Sequence, residues 1–282
     1  MFDPSPVLIT GCSTGIGRAT AEHLAARGHA VYATARKTEA IADLAGAGCT
    51  VLPLDVTDED SMRAAVDRIE SKHGAIGALV NNAGYSQSGA IETLQLDALR
   101  RQFETNVFGL VRLTQMALPA MRAKRAGRIV NMSSMGANFV FPGGGAYHAS
   151  KYAVEALSDA LRFEVGGFGV AVVLIQPGAI RTEFDKRMVD SLANHETGGA
   201  YDSFNRKVGK ITQAAYEKGP LKLLGGGPKA VAAVVEKAIT ADKPKIRYRV
   251  TPSAHLMINQ RRLMTAGMWD RVVGAQFPRP GA

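Results

Sequence analysis

Two residues in this chain are spaced for proton transfer. Tyr147 and Lys151 stand four apart, which on a helix puts the phenol and the ammonium on one face, one turn from each other. A free phenol titrates near ~10, so at neutral pH it is a sluggish acid and a poor base. An ammonium held beside it favours the phenolate. Opposite unit charges ~4 Å apart at an effective dielectric of ~20 attract by about 4 kcal/mol, and lowering a phenol by two to three units takes roughly 3–4 kcal/mol. The pair would make Tyr147 a proton donor and acceptor near neutral pH. Tyr-x-x-x-Lys also arises by chance, where it marks only an exposed helix face, so its weight depends on the elements around it.

A second chemical signal lies near the N-terminus. The apolar run Val7 to Thr10 leads directly into Gly11-Cys12-Ser13-Thr14-Gly15-Ile16-Gly17, and Ile16 to Arg27 reads as a helix stopped by Gly28. Strand, glycine turn and helix together form a dinucleotide site: glycines let the backbone approach, and the helix N-terminus offers unpaired N–H groups to a pyrophosphate. The spacing is G-x-x-x-G-x-G rather than G-x-G-x-x-G, and a plain turn is the competing reading. NAD sites carry an acidic residue at the end of the second strand. Here that place reads Thr34-Ala35-Arg36-Lys37. With two cations and no carboxylate it suits a 2′-phosphate, which Arg36 can grip in bidentate fashion, so the cofactor is read as NADP. Exposed cations opening the next helix are the alternative.

The elements that must position these groups alternate along the chain. Strands are predicted over 30–35, 50–56, 78–81, 128–132 and 170–176, and helical patterns over 39–44, 61–72, 96–124 and 147–165, the second behind a Thr57-Asp58 cap. Such alternation implies right-handed crossovers and an α/β fold: a Rossmann doubly wound parallel sheet in three α/β/α layers. Ligands of such sheets lie beyond the carboxyl ends of the strands. There stand the glycine loop, Asp55, Asn81-Asn82-Ala83-Gly84, Ser133-Ser134 and Pro177-Gly178.

Composition narrows the class. Among 282 residues, 46% hydrophobic and 21% charged are ordinary globular values. Cys12 and Cys49 match no metal spacing and are read as reduced thiols, with no metal expected. No signal peptide or membrane span is read, and a soluble, cytoplasmic protein is expected. Of the net charge of +9, residues 223–282 carry most, with 10 Lys/Arg against 3 Asp/Glu. No nucleic-acid signature accompanies that balance.

The chain resembles the short-chain dehydrogenase/reductase (SDR) family over about residues 7–185. The resemblance rests on Thr10-Gly11-x3-Gly15-Ile16-Gly17, Asp55-Val56, Asn81-Asn82-Ala83-Gly84, Asn106, Ser134, Tyr147-x3-Lys151 and Pro177-Gly178-x3-Thr182. It implies hydride transfer between a nicotinamide and a carbonyl or alcohol carbon, with Asn106, Ser134, Tyr147 and Lys151 catalytic. Tyr147 would exchange the proton and Lys151 would lower its pKa and hold the nicotinamide ribose. Ser134, thirteen residues before Tyr147, would hydrogen-bond the substrate oxygen, with Ser133 as the competing serine. Asn106 would hold a water leading to Lys151, or merely bend its helix. Gly11, Ser13, Thr14, Gly15, Ile16, Gly17 and Arg36 would bind the cofactor's phosphates. Asp55 and Val56 would flank the adenine, although Asp55 also reads as a strand-end cap. Asn82, Ala83, Gly84, Pro177, Gly178 and Thr182 would complete the cofactor site.

One domain is expected over 1–282, with a core at 7–185 and a lid and C-terminal extension at 186–282. Asn138 to Pro142 and Phe184 to Leu224 are read as substrate segments, followed by a helix at 228–240, a basic strand at 245–250 and a closing helix. The extension is similar to the steroid- and retinol-dehydrogenase-like branch, implying a bulky apolar alcohol or ketone, and the family resemblance implies a homodimer or homotetramer. An NADP sensor without chemistry is the alternative function. Membrane attachment through Lys245 to Trp269 is the disfavoured alternative for the extension.

Overall fold

Short apolar runs with no polar alternation must be covered on both faces, and the central strands of the sheet follow that rule. The structure, a computed structural model, describes residues 3–183, 191, 199–217 and 223–280. Strands β1 (Val7–Ile9), β2 (Val31–Ala35), β3 (Thr50–Pro53), β4 (Ala78–Asn81), β5 (Gly127–Met132), β6 (Val170–Pro177) and β7 (Arg247–Val250) form one parallel sheet in the order β3-β2-β1-β4-β5-β6-β7. The chain winds outward from β1 through β2 to β3, then returns to β4 on the other side of β1. Ile9 is in register with both Ala33 and Val80, so the glycine loop leaves the sheet at this reversal of direction.

Strand periodicity sorts the core into two layers. Val7, Ile9, Val80, Val130 and Val173 face helices α1 (Gly15–Ala26) and α7 (Pro228–Thr240) through Leu24, Val231 and Val235. Leu8, Leu79, Ile129 and Val172 face α2 (Glu59–His73), α4 (Gly109–Ala123) and α5 (Gly145–Gly166) through Met62, Leu113 and Val165. The cap expected before α2 is present: the Asp58 carboxylate accepts from the N–H groups of Asp60 and Ser61 at 3.0 and 3.3 Å. Both cysteines are free and buried, and burial pushes the Cys12 thiol up to about 12.

Several boundaries differ from the sequence reading. The third strand stops at Pro53 because the Asp55 carboxylate accepts from the Thr57 N–H at 2.9 Å and its hydroxyl at 2.8 Å, turning the chain. Thr38–Ala45 is a 3-10 segment. The helical run 96–124 divides into α3 (Leu96–Phe103), a π-turn (Glu104–Phe108) and α4. The C-terminal extension forms two helices beyond β7, α8 (Pro252–Leu263) and α9 (Ala266–Gln276). Of the segment read as a lid, residues 184–190, 192–198 and 218–222 lie outside the described residues, while α6 (Asp202–Glu217) is a helix. No helix of the described residues is long and apolar enough to cross a membrane.

Gly109 opens α4 where the helix meets the turn after β3. A Cβ there would lie 2.1 Å from the Val56 carbonyl oxygen. Gly109→Ala should therefore cost about 1–3 kcal/mol by overpacking. Gly166→Ala, with nothing within 4 Å of its added Cβ, should be neutral or slightly stabilising on helix propensity. Urea unfolding of both variants tests this; equal midpoints would mean that the α4 contact is not a close-packed one.

Candidate active site

The cofactor end of the crevice is built by mutual support between two loops. The Thr10 hydroxyl accepts from the N–H groups of Asn82 and Ala83 at 3.0 and 2.9 Å, and the Asn82 amide donates to the carbonyls of Thr10 and Gly11 at 2.9 and 3.2 Å. Gly11 has φ +72, a conformation that favours glycine. At Gly17 a Cβ would fall 2.3 Å from the Gly11 oxygen and 2.4 Å from the Asn82 amide. Thr14 precedes α1 without a side-chain cap, and no acidic residue occupies the first turn. The first-turn N–H groups thus have no capping side chain from Thr14, and the loop's close approach to Asn82 and Ala83 requires glycine at 11 and 17. These features fit a dinucleotide pyrophosphate.

The other expected cofactor residues stand in the glycine loop or beyond the carboxyl ends of the strands. Ser13 and Ile16 are half-buried and Thr14 is exposed. Thr182, beyond Pro177 and Gly178 at the end of β6, lies over the glycine loop, since a Cβ on Gly15 would meet its methyl group at 3.4 Å. Arg36 is exposed immediately after β2, with Ala35 as the last strand residue. Asp55 spends one oxygen on Thr57, so the strand-end cap is real, and Val56 is buried beside it. Gly84 is exposed at the end of the β4 loop, with Lys151 Nζ 3.8 Å from where its Cβ would be.

Beside the ends of β4 and β5, α5 carries Tyr147 and Lys151, and the 3-10 turn Met135–Ala137 after β5 carries Ser134 as its N-cap. Ser134 is hydrogen-bonded to the Tyr147 hydroxyl and accepts from the Gly136 N–H at 3.0 Å. Ser133 points the other way, donating to Glu155 at 2.5 Å, which separates the two competing serines. Lys151 Nζ donates to the Met132 carbonyl at 2.7 Å and lies 5.8 Å from the centre of the Tyr147 ring. Asn106, in the π-turn, bonds both backbone groups of Tyr85, its amide donating at 2.9 Å and its oxygen accepting at 3.1 Å, and donates to Ser150 at 3.0 Å. It therefore does more than bend a helix. It fixes the chain that follows Gly84.

Electrostatics correct one expectation. Burial of the hydroxyl pushes Tyr147 up from 10.0 to about 12, against the Ser134 hydrogen bond. Burial pulls Lys151 down from 10.5 to about 8, against the charge of Glu155. The lysine does not bring the phenol near neutrality in this state, because both groups are desolvated and the ammonium is turned to a carbonyl.

Three contributors escaped the sequence reading. Glu155 accepts from Ser133, from Gln176 at 2.9 Å and from Arg247 at 2.8 Å. Its signal was available, four residues after Lys151 on the same helix face. His148 bonds the Gly136 carbonyl at 2.7 Å through Nδ1 and accepts from the Phe141 N–H at 3.2 Å through Nε2, pinning the loop between Ser134 and Tyr147. Ser150 donates to the Tyr147 carbonyl at 2.7 Å. Phe139, read as a substrate contact, is 1% exposed and packs with Met135, Ile258 and Trp269.

A family model described as short chain dehydrogenase matches residues 5–193. A 3-ketodihydrosphingosine reductase of Bacteroides thetaiotaomicron is 38% identical over 258 residues, 91% of each chain. The crystal structure of a short-chain dehydrogenase from Streptomyces avermitilis is 34% identical with a TM-score of 0.73, over 94% of this chain and 92% of that one. A closed serine dehydrogenase complexed with NADP+ is 25% identical with a TM-score of 0.74, over 87% of this chain and 94% of that one.

Lys151 makes stability depend on pH. Between its folded value of about 8 and its ordinary 10.5, the unfolded chain holds a proton that the folded chain has released, so stability rises with pH across that window. The contribution is present above 10.5 and lost as pH falls to about 8. From pH 7.5 to 9.5 the gain should be about 1–2 kcal/mol. Urea unfolding of the natural chain and of Lys151→Met at both values isolates it. A difference between the two proteins that is the same at both pH values would contradict the buried ammonium.

Proposed function

The chain belongs to the short-chain dehydrogenase/reductase family and is an oxidoreductase of that family; we propose that it reduces the carbonyl of an apolar, lipid-like substrate with NADPH, or runs the reverse oxidation. The observation that carries this reading is the Ser134–Tyr147 hydrogen bond with Lys151 alongside. Gly11, Ser13, Thr14, Gly15, Ile16 and Gly17 would hold the pyrophosphate. Arg36 would hold the 2′-phosphate, Asp55 and Val56 the adenine, and Asn82, Ala83, Gly84, Pro177, Gly178 and Thr182 the remainder. NADPH, when bound, supplies the hydride.

The proton is the protein's part. Burial keeps the Tyr147 phenol protonated at neutral pH, so it holds the proton that reduction of a carbonyl consumes. Ser134 orients the carbonyl oxygen, Tyr147 Oη gives its proton to it, and Lys151 stabilises the phenolate left behind. Asn106 holds the Tyr85 backbone, and with it the wall of the crevice. The NADP+ complex of the serine dehydrogenase neighbour supports the cofactor, and the keto-sphingosine relative supports a keto lipid. Exposed Phe108, Tyr152, Leu157 and Phe163 support a homo-oligomer.

Tyr147→Phe keeps the ring and removes the proton. Turnover should fall by roughly 10²–10⁴, while NADPH binding, followed by nicotinamide fluorescence, persists. Turnover within threefold of the natural chain would remove Tyr147 from the chemistry.

Arg36 decides cofactor preference. Charge-assisted hydrogen bonds are worth ~1.5–3 kcal/mol, so Arg36→Ala should weaken NADPH by about 10- to 150-fold and leave NADH nearly unchanged. Adding Ala35→Asp should reverse the preference. The measurement is kcat/KM with both cofactors. A natural chain that prefers NADH, or equal losses with both, would refute the 2′-phosphate site.

A further inference from the structure

Buried polar atoms without partners are costly and rare, and here they are concentrated. Nine buried side-chain atoms among the described residues lack a hydrogen-bond partner, and five of them belong to Ser86, Ser88, Gln102 and Asn205. These residues are 3%, 2%, 0% and 0% exposed. The concentration follows one segment, residues 85–90. Gln102 donates to the Tyr85 carbonyl at 2.7 Å and is left with a bare oxygen. Ser86 and Ser88 lie on the segment itself. Asn205 belongs to the inward face of α6, at helical spacing with Tyr201, Phe204 and Val208. That face packs on Ala90, and both ends of the Asn205 amide are bare.

The segment borders the reacting groups. Asn106 clamps its first residue, Tyr85, and the Gly89 N–H donates to the Gly143 carbonyl at 2.8 Å, four residues before Tyr147. An apolar helix face has no packing use for a carboxamide, and leucine would fill the same place without desolvation cost. Polar groups kept at such expense are a mark of function.

We propose that Ser86, Ser88, Gln102 and Asn205 form a subsite for a neutral hydrogen-bonding group, a hydroxyl, carried by the substrate close to its carbonyl. The two serine hydroxyls and the Asn205 amide both donate and accept, the bare Gln102 oxygen accepts, and none of the four is charged. That set can satisfy both the donor and the acceptor of a hydroxyl, and it carries no cation to balance a carboxylate or phosphate. The inference rests on the ketone-reductase reading and narrows it, from an apolar ketone to a hydroxyketone with an apolar chain.

The test pairs two long-chain ketones of equal length, one bearing a hydroxyl within two carbons of the carbonyl. With NADPH, the natural chain should show kcat/KM roughly 10- to 100-fold higher for the hydroxyketone, because a site built to bond a hydroxyl rejects the analogue without it. Ser88→Ala and Asn205→Leu should each cut that ratio at least fivefold. Asn205→Leu should also raise the Tm of the ligand-free protein by roughly 2 °C or more, since it removes two unpaired buried atoms. A ratio near one in the natural chain, or a ratio unchanged in both variants, overturns the subsite. If neither ketone is reduced, the reductase reading fails, and thermal shift in the presence of NADPH decides the subsite separately. Stronger stabilisation by the hydroxyketone than by the plain ketone, lost in Ser88→Ala, upholds it, and equal shifts overturn it.

Discussion

Three consecutive residues at the end of β5 hold α5 in place. Asn131 donates to Ser158 at 2.8 Å, the Met132 carbonyl accepts from Lys151 at 2.7 Å, and Ser133 donates to Glu155 at 2.5 Å. All six residues are largely buried, where a hydrogen bond left unmade is expensive. The helix can neither slide nor rotate without breaking several of these bonds at once. Since Ser134 is the next residue of the strand end and Tyr147 is one turn before Lys151, the same clamp sets their separation. The network continues sideways: Asn81 bonds Asn131 at 2.9 Å and Thr114 at 3.0 Å, tying in β4 and α4.

Desolvation and charge oppose each other throughout this site. The phenol and the ammonium are both moved toward their neutral forms by burial, and Glu155 is the acidic group that resists this for Lys151. Glu155 is itself held by Arg247 on the edge strand β7, which also pairs with Asp159 at 2.6 Å. A charge at the margin of the sheet is therefore linked to Lys151 through the Arg247–Glu155 ion pair and the field of Glu155.

Much of this architecture was legible in the sequence, because backbone requirements leave marks on residue type. Gly11 and Gly17 are glycines for reasons of torsion and close approach, and strands covered on both faces read as unbroken apolar runs. The Asp58 cap and the Asn81 to Gly84 turn were equally open to view. The π-turn around Asn106 was hidden because its periodicity differs little from that of a helix, and the early end of β3 was hidden in the side-chain bonds of Asp55. The burial of Phe139 depends on α8 and α9, which lie more than a hundred residues away in sequence. No local pattern reports a contact of that range. The phenol's upward shift was missed for a related reason: spacing gives the distance to a charge, but not how much water is lost.

His148 has one further consequence, for the tolerance of the site to acid. Its Nδ1–H faces the Gly136 carbonyl and its Nε2 takes the Phe141 N–H, an arrangement open only to the neutral ring. A second proton would set two N–H groups against each other. Burial holds the imidazole below its ordinary value, with the Gly136 bond opposing, so the ring stays neutral in the range where an exposed histidine would become charged. The loop that carries Ser134 toward Tyr147 is thereby insulated from mild acidification, and a residue type usually associated with pH sensing serves here as a fixed pin.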